Sequence, residues 1–209
     1  MHIYAFGSVC RGEVSLGSDV DLLAIVEGFN PHLNVETYSI YSYSRIQEIW
    51  HEGNPFAWHL YNESKLLYAS DGIDTLRSLG RPNRYEKCVA DCAKFQTLFC
   101  EARHSAATSS TSLVFDLSTV FLSIRNIATC FSLGVLPHPD FSRHSALRLG
   151  VHSLAIPTQS YGVLERSRLL CTRGYGSAIT PQEAEIACGQ FPVAENWMSQ
   201  LVQEAKRHA

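Results

Sequence analysis

The chain is expected to fold as an α+β protein: a small mixed β-sheet domain with helices, followed by an all-α helical bundle. Three observations carry this expectation. Up to Tyr68, short β-branched and aromatic runs are separated by Gly, Ser, Asn and Pro. A polar segment follows, Ser70–Asn83, which contains Gly72, Gly80 and Pro82 and reads as a hinge. Beyond it, apolar residues recur at helical spacing in stretches of about six turns. The expected domains are residues 1–80 and 84–209.

His2–Phe6 is a brief apolar run stopped by Gly7-Ser8, and predicts the first strand. Asp19–Val26 (DVDLLAIV) begins with polar and apolar residues in alternation and then continues apolar, as a strand does when its first residues emerge at a cleft. Asn34–Ser44 (NVETYSIYSYS) is β-branched and aromatic, and predicts the next strand. The connection Glu27–Leu33 is too short for a crossover helix, so these two strands are expected to be antiparallel neighbours. Arg45–Glu52 places Ile46, Ile49 and Trp50 on one helical face and ends at Gly53. Phe56–Asn62 extends the helical stretch, and Lys65–Ala69 predicts a short last strand. Helices are then expected at Tyr85–Ala107, Leu113–Leu133, Phe141–Val151, Tyr161–Arg173, Pro181–Cys188 and Val193–Lys206. Thr180 is the natural N-cap of the fifth of these, with Pro181 at its first position.

Composition narrows the function classes. With 17 Lys+Arg against 20 Asp+Glu the net charge is −3, which disfavours gripping long nucleic acid through its phosphates. Seven cysteines, an odd number with no CxxC pair, read as free thiols in a reducing interior rather than as a disulfide or zinc framework. No run of eighteen apolar residues and no basic-plus-apolar leader is visible, so a cytoplasmic protein with no membrane partner is expected. None of the nine histidines falls in a regular ligand spacing. Trp50, Phe56, Trp58 and Tyr61 read as core, with Trp58 the candidate to line a cleft.

The chemistry is concentrated in Phe6–Val26, FGSVCRGEVSLGSDVDLLAIV. Residues two apart on a strand share a face, so Asp19 and Asp21 project side by side. Two carboxylates so placed repel each other unless a cation sits between them. Hard divalent ions take such oxygens, Mg²⁺ usually with one or two carboxylates plus substrate phosphates. Gly7 leaves room for a phosphate to approach backbone amides, and Ser8 adds a hydroxyl. Asp-x-Asp by itself occurs often by chance; the Gly-Ser element ten residues before it makes the stretch specific.

That stretch resembles the signature of the polymerase-β-type nucleotidyltransferase superfamily: a strand ending in Gly-Ser, a spacer of about ten residues, then Asp-x-Asp on the next strand. Arg11-Gly12-Glu13 and Ser18-Asp19 are also similar to elements of minimal and aminoglycoside nucleotidyltransferases. The resemblance implies that Gly7, Ser8, Arg11 and Ser18 bind the nucleotide and that Asp19 and Asp21 hold Mg²⁺. It implies transfer of a nucleoside monophosphate, AMP from ATP in the first instance, to a hydroxyl of a small-molecule or protein acceptor. A degenerate module that binds nucleotide or neutralises a partner without transfer is the alternative. Active members add a third carboxylate from a later strand. Val35-Glu36-Thr37 is similar to the corresponding strand of kanamycin-type enzymes and makes Glu36 the candidate, but alignment backwards from Arg45-Ile46 puts Tyr38 there instead. Many relatives carry a helix before the Gly-Ser strand, so the C-terminal helices or a second subunit, in a homodimer, would have to cover that face.

The stretch Leu113–Leu149 resembles the helical domain of kanamycin-type nucleotidyltransferases and the related HEPN bundles. Catalytic HEPN ribonucleases carry an arginine and, a few positions on, a histidine. Here Arg125-Asn126 is present, but Cys130 stands at the histidine position. A thiol is a poor substitute for imidazole as a proton shuttle near neutral pH, so the bundle reads as non-catalytic. Arg125, mid-helix among apolar residues, is expected to pair with Asp116 or Asp140, or else to face the nucleotide cleft.

Overall fold

The computed structural model describes residues 1–13, 20–28, 30–108 and 111–208. It is an α+β structure whose contacts divide it into two units, Met1–Glu86 and Lys87–Ala209.

The N-terminal unit is built on four strands: β1 (His2–Phe6), β2 (Asp21–Val26), β3 (Tyr38–Ser42) and β4 (Ser64–Ala69). Their order is β3-β2-β1-β4. β1 is antiparallel to both β2 and β4, with Phe6 opposite Asp21 on one side and Ser64 on the other. β2 and β3 are parallel, Leu22 opposite Tyr38, which corrects the antiparallel pairing expected from the short connection. The strand also starts later than expected. The Asn34 carbonyl accepts the amides of Thr37 and Tyr38, and its side chain accepts that of Glu36 at 2.8 Å, so these residues form a turn. Residues 27–37 can then return the chain to the start of β2. Six residues of strand span about 20 Å, and eleven connecting residues reach up to about 35 Å, so no crossover helix is needed.

The two-residue strand period puts Tyr4, Phe6, Leu23 and Ile25 on one face, and the helices cover that face. Around them pack Ile46, Ile49 and Trp50 of α2 (Tyr43–His51) and Ala57 and Leu60 of α3 (Pro55–Glu63). Leu76, from the one-turn helix α4 (Thr75–Ser78), joins the same core. Another one-turn helix, α1 (Ser8–Arg11), follows β1. α2 and α3 begin on side-chain caps, Ser42 accepting from the Arg45 amide and Asn54 from that of Phe56.

The segment expected as a hinge is instead part of this unit. Tyr4 donates its hydroxyl to Asp74, Leu76 is buried, and the indoles of Trp50 and Trp58 donate to the carbonyls of Gly80 and Asn83. Buried polar anchors of this kind tie residues 74–83 down despite their polar composition. His2, 1% exposed, adds another, meeting Tyr43 at 2.7 Å, Asp71 at 2.9 Å and Thr75 at 3.0 Å.

The C-terminal unit is helical: α5 (Cys88–Thr108), α6 (Leu113–Val135), α7 (Thr158–Arg173), α8 (Pro181–Cys188) and α9 (Phe191–Arg207). α6 is long and apolar enough to cross a membrane by length and composition. Here it is the central core helix, with Leu117, Val120, Ile124, Ile127 and Phe131 fully buried. α8 begins at Thr180 as expected, through a reciprocal capping box with Glu183. Phe141–Val151 does not form the expected helix; it holds only two 3₁₀ turns, Ser145–Leu147 and Gly150–His152. The carbonyls of Asp140 and Phe141, which the first turn of a helix would use, accept instead from the Thr129 hydroxyl and the Arg125 guanidinium of α6.

Candidate functional site

The site is assembled where the chain leaves β1 and enters β2. Gly7 follows Phe6 at φ 76°, ψ −141°, a conformation that a side chain resists. A Cβ built there would stand 2.7 Å from Asp21 Oδ2. The absence of a side chain is thus what lets the Asp21 carboxylate lie directly against the backbone at the end of β1. Strand register explains the meeting, since Asp21 is the antiparallel partner of Phe6. Gly7 and Asp21, fourteen positions apart in sequence, are brought together by this register.

From Gly7 the chain turns at once into α1, Ser8–Arg11, and stops at Gly12 in the left-handed conformation. The carbonyl of Gly7 accepts the amides of Cys10 and Arg11. The Cys10 thiol donates to the carbonyl of Ala5 at 3.3 Å, and burial pushes its pKa up, which keeps it protonated. Ser18 and Asp19 lie outside the described residues; Val20, next in the chain, is half exposed.

Arg11 is placed differently from a side chain held open for phosphate. Its Nε donates to Glu13 Oε2 at 3.0 Å and its NH1 to Glu63 Oε2. Burial works against the guanidinium charge, but the two carboxylates outweigh it and hold the pKa above its usual value. Glu63 also lies 2.9 Å from His59 Nε2, and its backbone carbonyl accepts the Gly7 amide at 3.2 Å. The His59 ring stands edge-on to Phe6, 5.6 Å between centroids. Sequence reasoning missed Glu63 and His59, which are 52 and 48 positions from Arg11. The expected last strand, Lys65–Ala69, starts one residue too late to point to Glu63; the observed pairing of Ser64 with Phe6 is what sets Glu63 beside Gly7.

The third-carboxylate candidates fall elsewhere. Glu36 was expected on the third strand; it is an exposed residue of the turn that precedes β3. Tyr38 is the first residue of β3 and pairs with Leu22, so it belongs to the sheet face opposite that of Asp21.

A divalent cation can be tested against these donors. Among the described residues no group of three His, Cys, Asp or Glu side chains is close enough to hold a metal. Mg²⁺, however, commonly takes only one or two carboxylates and completes its shell with water and substrate phosphates. The Asp21 carboxylate beside a glycine backbone fits that mode of binding.

In the helical unit Arg125 donates from NH2 to the Phe141 carbonyl at 3.0 Å, while Asp116, 3% exposed, accepts from Ser112. Cys130 is buried at 4% exposure. Trp58 is 9% exposed; it stacks under the Arg81 guanidinium at 4.9 Å and is a core residue. All seven cysteines are free thiols.

No curated protein matches the sequence. Residues 2–76 match the family model of the nucleotidyltransferase domain, a span that takes in β1, the Gly7–Asp21 contact, β3, β4 and the start of α4. The N-terminal unit therefore carries a nucleotidyltransferase domain of the polymerase-β-type superfamily.

Proposed function

We propose that the chain is a Mg²⁺-dependent enzyme that moves a nucleoside monophosphate, AMP from ATP in the first instance, to a hydroxyl of a small-molecule or protein acceptor. The observation that carries this reading is the Asp21 carboxylate lying against Gly7 at the end of β1. A carboxylate in direct contact with bare backbone, beside a turn that starts with a serine, would offer a cation an oxygen next to groups able to meet phosphate. Mg²⁺ held by Asp21 and Asp19 would neutralise the phosphates and the charge that grows on the leaving pyrophosphate. Because the Gly7 amide is already given to Glu63, and those of Cys10 and Arg11 to Gly7, the triphosphate would meet the Ser8 hydroxyl and the amides of Ser8 and Val9. The acceptor oxygen would attack the α-phosphorus in line as pyrophosphate departs. A net charge of −3 favours a small or cationic acceptor over long nucleic acid. A cytoplasmic location, with no membrane partner, suits seven free thiols.

A second reading, nucleotide binding without transfer, is favoured by one observation: Glu36, the candidate third carboxylate, is an exposed residue of the turn before β3 and not a strand residue. The test is incubation with labelled nucleoside triphosphates and Mg²⁺, with and without candidate acceptors. A labelled product together with pyrophosphate supports transfer. A rise in Tm with MgATP but no product under any acceptor moves the assignment to the binding module, and neither result removes both.

A further inference from the structure

α1 has four residues, too few for a helix to hold itself in water, so whatever fixes it comes from outside. Of the two carboxylates on Arg11, Glu13 sits two residues away in the same loop. Glu63 belongs to the junction of α3 and β4, and it grips the turn at both ends: its carbonyl takes the Gly7 amide and its carboxylate takes Arg11. Its side chain is 13% exposed, as is that of His59, which lies 2.9 Å from the same carboxylate oxygen. A charge-assisted contact this sheltered is weakened little by salt.

We propose that Glu63 is the positioning residue of the nucleotide site. It pins the Gly7–Gly12 turn to the end of the sheet through Arg11, and it influences the nucleotide only through that turn. His59, packed on Phe6, backs the carboxylate from the α3 side. The consequence for nucleotide rests on the nucleotidyl-transfer reading, whereas the pin is a property of the free protein.

The experiment compares the full chain with Glu63→Gln, which keeps the shape and removes the charge. Amide hydrogen exchange of the free proteins is read by mass spectrometry. Exchange of residues 8–12 should quicken by about tenfold or more while that of β2 and the C-terminal helices stays as in wild type. Arg11→Gln breaks the same pair from the other side and should reproduce that pattern, the double variant being no worse than either single one. In turnover, Glu63→Gln should raise KM for the nucleotide by about tenfold and leave kcat within about twofold. Unchanged exchange at residues 8–12, in either variant, overturns the pin. A lowered kcat at unchanged KM makes Glu63 a catalytic group and overturns the positioning role. A wild type that neither binds nor turns over MgATP would remove the transfer reading, and the exchange data would still decide whether Glu63 pins the turn.

Discussion

Replacing Gly7 by alanine tests the site at its closest contact. Two costs add. The backbone at φ 76°, ψ −141° lies in territory that L residues occupy at about 1–3 kcal/mol. The new Cβ would stand 2.7 Å from Asp21 Oδ2, so the carboxylate must retreat by about 0.7 Å to reach ordinary contact at 3.4 Å. Taking about 2 kcal/mol in total, Tm of the N-terminal unit should fall by roughly 8–16 °C for a domain of this size. Mg²⁺ tolerates little error in its oxygen distances, and a shift approaching 1 Å at a reacting centre costs up to about a hundredfold. MgATP affinity should therefore fall by about tenfold or more. Gly72→Ala is the control: it also has positive φ, 74°, but a Cβ there meets nothing within 4 Å. It should lower stability by about 1 kcal/mol and leave MgATP binding alone. Differential scanning fluorimetry and calorimetric titration of the two variants read both effects. A Gly7→Ala protein no less stable than Gly72→Ala and binding MgATP as wild type would refute the contact as a functional one.

Glu36→Gln should keep transfer within about twofold, because the residue sits in an exposed turn; a loss of about a hundredfold would restore it as the general base. The amide of Thr180, and after it the Arg166 guanidinium, pull the Glu183 carboxyl down to about 2 from its ordinary 4.5. Its folded pKa is the lower one, so its contribution to the α8 cap is complete above about pH 4.5 and is lost as pH falls toward 2; Glu183→Gln should flatten helix melting over that window, and an unchanged profile would dismiss the capping contribution. The neighbouring Cys92 thiol lowers the Cys88 pKa, whereas burial raises those of Cys100 and Cys188. Timed iodoacetamide labelling near pH 8, read by peptide mass spectrometry, should therefore modify Cys88 before Cys100 and Cys188, and Cys92→Ala should erase that lead.

Local patterns made much of this protein legible. The apolar run His2–Phe6 and the DLLAIV core of β2 became strands because their periodicity and the turn residues flanking them admit little else. α8 starts at Thr180 because an N-cap, a proline and a glutamate three residues on satisfy its first amides within one short segment. The sequence pointed to Gly7 and Asp21 as neighbours in one cleft, and the antiparallel pairing of β1 and β2 makes the contact. What the sequence could not decide depends on where distant segments return. β3 runs parallel to β2 because the connection between them returns to the start of β2, and a pattern with a period of two is identical for either direction. Phe141–Val151 has helix-compatible spacing, yet Thr129 and Arg125 of α6 take the carbonyls of Asp140 and Phe141. Arg11 reads as a phosphate ligand beside Gly-Ser, but β4 lies against β1 and delivers Glu63 to it, 52 residues away. Ion pairs within one helix can be read from a spacing of three or four residues. A pair 52 residues apart leaves no such spacing, and only the folded sheet brings its two halves together.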